Sequence, residues 1–271
     1  MPANQRARDE NTQPAIFLPH GGGPAFFMAG PMGDLFAPMA EFLSALPTEL
    51  PQRPRAILVV TAHWEAAEIS FSGAAHHDLL FDYYGFPAET YSLRYDAAGD
   101  PALATTAAGL LSDAGITSRV DSARGWDHGV FIPLKVMFPL GDISVVAMSL
   151  KMGLDPDVHH RVGVALQQLR SDNVLIIGSG MSYHNLANFA DAATVSQAFD
   201  AWLDTALDGN HSHRQSMLSA WTQAPGARSA HPREEHLLPL MVTSGAGSDS
   251  PAKKIWAGSV GATSVSAWRF D

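Results

Sequence analysis

The chain has 271 residues, 46% of them hydrophobic and 16% charged, a balance that supports a sizeable buried core and argues against disorder. Seventeen basic against 27 acidic side chains give a formal net charge of −10 with no basic cluster to offset it, so nucleic acid is not an expected partner. There is no cysteine, which removes disulfides, thiolate metal sites, iron–sulfur clusters and cysteine nucleophiles together; the 12 histidines leave a nitrogen–oxygen metal site as the chemistry to look for.

Residues 1–14 are polar, without the apolar stretch of a secretory leader, and read as a flexible tail. No apolar run reaches the roughly 20 residues that a membrane span needs, so a cytoplasmic protein off the membrane is expected, as monomer or homodimer. Four short apolar runs bounded by turn residues, Ala15 to Leu18, Ala56 to Val60, Ile143 to Met148 and Val174 to Ile177, read as strands of a sheet covered on both faces. The connection from Gly73 to Asp100 carries Tyr83, Tyr84, Tyr91 and Tyr95, and a long aromatic loop of this kind can cover a flat substrate. Helical patterns follow: Pro101 to Ala114 with Gly115 as its C-terminal stop, a segment opened by Asp155-Pro156, and Ser196 to Leu207. Pro232 suggests another helix start, bent beside His236 by Pro239. Residues 245–251 read as a loop. Strands and helices alternate without a break in composition, which predicts one α/β domain with a central mixed, mostly parallel sheet flanked by helices.

The chemistry gathers at the strand ends. His20 follows the first strand and opens a glycine run to Pro24; His63 ends the second; His184 follows the strand that runs into Gly178-Ser179-Gly180. In open α/β sheets ligands bind beyond the carboxyl ends of the strands, where three such histidines can converge. His236 and His128, the latter in Gly125-Trp126-Asp127-His128-Gly129, are further candidates. Each has a plainer reading as a hydrogen-bonded turn or core residue, and His76, His77, His159, His160, His211 and His213 read as solvated surface. His-Glu-x-x-His and Gly-x-Ser-x-Gly are both absent, so neither a zinc-protease helix nor a nucleophile elbow is present.

Five blocks in order, His20 to Pro24, Thr61 to Trp64, Trp126 to Gly129 with Pro133-Leu134, Gly178 to Gly180 with His184 to Leu186, and His231-Pro232 with Glu235 to Leu240, resemble the class III extradiol dioxygenases, in the DOPA-dioxygenase branch of the LigB-like family. The resemblance spans residues 15–271 as one catalytic domain. It implies a divalent metal, Fe(II) or zinc in the same site, with O2 as co-substrate and a catechol-type small molecule as substrate. Carried over by motif, His20, His63 and His236 are metal ligands, with Glu235 the alternative to His236; His184 is the acid–base or a fourth ligand; His128 is a pocket histidine beside oxygen or substrate. The run of three glycines before Pro24 and Phe131 in place of a tryptophan depart from the family pattern. Arg94, Arg124 and Lys135 are candidates for a substrate carboxylate. A zinc-dependent hydrolase on the same histidines, or a metal-binding protein without catalysis, are the alternative readings.

Overall fold

In a computed structural model of the chain, residues 12–188 and 192–271 are described. Of the expected tail, residues 1–11 lie outside them; Gln13, by contrast, is buried, its backbone N–H donating to Arg170 O and its side-chain amide to Gln52 O and Asn173 Oδ1.

Eight strands form one sheet: β1 (Ala15–Pro19), β2 (Ala56–Ala66), β3 (Ile69–Ser72), β4 (Ser118–Asp121), β5 (Ser144–Lys151), β6 (Val174–Gly180), β7 (Lys253–Val260) and β8 (Thr263–Phe270), in the order β4-β3-β5-β2-β6-β1-β8-β7. The four apolar runs are the four central strands, paired in parallel. β8 pairs antiparallel with β1 and with β7, and β3 antiparallel with β5, so the sheet is mixed as expected.

Alternation along the strands sends Ala15, Phe17, Leu58 and Val60 to one face and Ile16, Leu18, Ile57 and Val59 to the other, each into its own apolar cluster. Helices α2 (Pro101–Asp113), α4 (Pro156–Leu166), α5 (Ala193–Leu207), α6 (His211–Ser219) and α8 (Leu238–Ala246) contribute to the first; α1 (Pro31–Ala45) and α3 (His128–Met137) cover the second. The short α7 (Ala227–Ala230) precedes His231. Asp100 and Asp155 cap α2 and α4 by accepting from the backbone N–H of Leu103 and of Asp157 and Val158.

Two expectations are corrected. No helix starts at Pro232 to bend at His236: residues 231–237 form turns, and Pro239 sits in the first turn of α8, where its missing N–H is not needed. His159 and His160 are buried, not solvated, because α4 is packed on both sides. His159 accepts from Lys151 N at Nε2, which makes its Nδ1–H the donor to Asp155 O.

Candidate metal centre

The site is built from the strand ends. His20 follows β1, His63 lies in β2 where its ladder with β5 shifts register, and the segment 235–237 lies against the end of β6. That last approach explains Gly178-Ser179-Gly180. A Cβ on Gly180 would sit 2.2 Å from the His236 carbonyl oxygen, and one on Gly178 would sit 2.6 Å from that of Pro239. The two glycines let the His236 segment close down on the sheet. Ser179, pointing to the opposite face, serves His20.

The imidazoles converge. Nε2 of His63 is 3.1 Å from Nε2 of His20 and 3.3 Å from Nε2 of His236. The His128 ring lies 3.9 Å from that of His63 and 5.4 Å from that of His20, centroid to centroid. His184 stacks on His236 at 3.3 Å with a 15° tilt. His20, His63 and His128 form one set of donors within 4.8 Å, and His184, Glu235 and His236 another; the Nε2 contact between His63 and His236 joins them.

Local bonding sets the tautomers. Pro133 in α3 has no N–H to give the Gly129 carbonyl, and the Ser179 hydroxyl donates there instead, at 2.5 Å. That hydroxyl, 3.0 Å from His20 Nδ1, is left to accept, so His20 carries its proton on Nδ1 and turns the Nε2 lone pair inward. Glu235 Oε1 does the same for His236, 3.0 Å from its Nδ1. Asp82 Oδ1 accepts from both the backbone N–H and Nδ1–H of His128, at 3.0 and 2.7 Å, and the other Asp82 oxygen is 3.6 Å from His63 Nδ1. Thr61 donates to the buried Asp127, whose second oxygen faces Arg124.

Burial, and after it the neighbouring imidazoles, hold His20 and His63 well below the ordinary histidine range. Burial likewise brings His236 down to about 4, against the pull of Glu235. Burial pushes Glu235 up, but hydrogen bonds from His184 and His236 and the His236 charge outweigh it, so Glu235 stays a carboxylate far below the usual range. At neutral pH His20, His63 and His236 are therefore neutral nitrogen donors, the state that binds a divalent cation.

All five histidines singled out in the sequence are brought together. Asp82 and Ser179 are additions: Asp82 sits in the aromatic connection with no local signal, and Ser179 was visible only as part of a motif. Tyr83 of the same connection is buried and packs edge-on 5.9 Å from His128, while Tyr84 is exposed. The three basic candidates are occupied elsewhere: Arg124 on the His63 carbonyl and Asp127, Arg94 on Asp96, and Lys135 on the Arg94 carbonyl.

The profile of the catalytic LigB subunit of aromatic ring-opening dioxygenases matches residues 14–269. The chain belongs to the LigB family of aromatic ring-opening dioxygenases. This LigB-family chain is 39% identical over 253 residues to dioxygenase tasH of Hapsidospora irregularis, covering 86% of this chain and 78% of that protein. It is 36% identical over 262 residues to 4,5-DOPA dioxygenase extradiol of Beta vulgaris, covering 93% and 95%. An Escherichia coli K12 protein of solved structure superposes with a TM-score of 0.78 at 25% identity, over 96% of this chain and all of that one. The enzyme is thus a ring-opening dioxygenase, as the five motif blocks imply. Among its described residues, no helix is long and apolar enough to cross a membrane.

Proposed function

We propose that His20, His63 and His236 hold Fe(II), and that the enzyme cleaves a small catechol beside its two hydroxyls, in the extradiol manner, with DOPA or a related catechol as substrate. The observation that carries this is the convergence of three Nε2 atoms at 3.1 and 3.3 Å, two of them with the opposite ring nitrogen tied back to Ser179 and Glu235. Metal–nitrogen bonds of about 2.0–2.1 Å at angles between 90° and 109° separate donor atoms by roughly 2.8–3.4 Å, so the spacing fits one shared cation. Zinc suits the same nitrogens and competes for them by affinity. The names of the Beta vulgaris and Hapsidospora irregularis relatives support dioxygenase chemistry on this scaffold.

Fe(II), when bound, supplies the one-electron route to dioxygen that a closed-shell aromatic ring lacks. The chain's own residues handle protons and position. The geometry favours His184 as a base over His184 as a ligand. For two rings with centroids 3.3 Å apart to reach one cation at about 2.1 Å, their planes must splay by roughly 60°; His184 and His236 are tilted by 15°. His184 lies beside the cation position, takes a catechol hydroxyl proton at Nε2, and is steadied as imidazolium by Glu235 Oε1, 3.4 Å from its Nδ1. His128, fixed by Asp82, presents Nε2 to the reacting oxygens and donates there once protonated. The Tyr83 ring next to it supplies a flat wall for an aromatic substrate.

His184→Ala separates base from ligand. Metal content at the wild-type level with turnover reduced by about 10²–10⁴-fold is expected; loss of the metal would make His184 a ligand.

A further inference from the structure

On the helical side of the molecule, away from the strand-end cluster, α4 and α6 meet at a cavity of about 380 Å³ lined in part by His160, His211 and Gln215. His160 is 3% exposed, and neither of its ring nitrogens has a hydrogen-bond partner. A buried imidazole left unpaired opposes folding, so this ring calls for a partner. Its neighbour is the His211 ring, at a centroid distance of 4.6 Å and a tilt of 63°. The strand-end cluster supplies an internal ruler: His20 and His63 stand at 4.9 Å and 59°, His63 and His236 at 4.8 Å and 84°, His20 and His236 at 5.2 Å and 55°. The pair between α4 and α6 has a ring spacing and tilt close to those of the strand-end imidazoles, which the proposed function assigns to one cation.

The surroundings agree. Gln215 lies one turn after His211 on the same face of α6 and adds a neutral oxygen donor to the cavity. The backbone of His211 is anchored, its N–H donating to Asp249 Oδ1. Arg161 also lines the cavity, whereas Arg214 is turned away: its guanidinium donates to Ser244, Gly209, Ser250 and Ser248.

We propose that His160 and His211, with Gln215 beside them, form a second metal site for a borderline divalent cation of the zinc class, independent of the catalytic centre. Burial holds both rings below the ordinary histidine range, His160 at about 4, so both are neutral donors at neutral pH. The ion ties α6 to α4 and engages one of the two His160 nitrogens that the protein leaves unpaired.

Calorimetric titration of the metal-free full chain with Zn(II), alongside metal analysis after dialysis, tests this. Wild type is expected to take two equivalents. His211→Ala, at a half-buried position, and His160→Gln each lose one binding step, by more than about 100-fold in affinity, beyond the 10–100-fold typical of losing an outer-shell partner. His63→Ala loses the other step, so failure of the catalytic assignment and failure of this one are told apart. A single equivalent in wild type that only His63→Ala abolishes, or two equivalents retained in both His211→Ala and His160→Gln, would overturn the proposal.

Discussion

The Ser179 hydroxyl links a helix defect to the metal centre, and Ser179→Ala measures that link. The hydroxyl donates to the Gly129 carbonyl, which Pro133 leaves without a helical donor, and accepts from His20 Nδ1–H. Ser179 and His20 are both buried to within 1% of full, so water does not easily replace the lost oxygen. Two buried groups are then unpaired, at roughly 1–3 kcal/mol each. His20 has one escape. Its proton can move to Nε2 and point at His63 Nε2, 3.1 Å away, which relieves Nδ1 but removes the inward lone pair. The expected result is a stability loss of about 2–4 kcal/mol for the metal-free protein and a fall in Zn(II) or Fe(II) affinity of about 10–100-fold. Urea unfolding in chelator gives the first quantity and metal titration the second; nitrogen-15 shifts of the His20 ring report the tautomer. Stability within about 0.5 kcal/mol of wild type together with unchanged metal affinity would refute the reasoning.

Acid should destabilise the metal-free protein through the same rings. In the unfolded chain an imidazole takes up its proton near pH 6.5, whereas His20, His63 and His236 stay neutral well below that, His236 down to about 4. Their contribution is complete above about pH 6.5 and is lost as pH falls below it, for His236 by about 2 kcal/mol between pH 7 and pH 5; urea midpoints that do not move over that range would contradict it. Asp82→Asn keeps an acceptor for His128 but removes the charge, and kcat is expected to fall about 10–100-fold with metal content intact; an unchanged kcat would detach Asp82 from the chemistry. Gly180→Ala places a methyl group 2.2 Å from the His236 carbonyl oxygen and is expected to cost at least about 2–3 kcal/mol and weaken metal binding, read by thermal unfolding and metal analysis.

The four central strands are legible because a parallel strand covered on both faces needs an unbroken apolar run, and only four such runs punctuated by turn residues occur at the right spacing. The antiparallel edge is less so: β7 is half-exposed and carries Lys253, Lys254 and Ser259, so its pattern is weak. The site's histidines stand out by position, each just past or within a strand end. Their supports do not. Asp82 is one acid in a long irregular connection, and its partner is 46 residues away. The misread helix at Pro232 shows the limit of local rules: proline marks a first turn equally well at 232 and at 239, and the close approach at Gly178 and Gly180 decides between them. His159 and His160 are adjacent polar residues in a helix of low mean apolarity, and only the packing of α4 against α6 and α8 buries both.

Oxygen uptake by the Fe(II)-reconstituted, anaerobically prepared enzyme against a panel of catechols tests the central claim most directly. One O2 consumed per catechol, with a yellow ring-opened semialdehyde as product and no uptake in His63→Ala, is the predicted result. No uptake with any catechol, at one bound iron per chain, would contradict it.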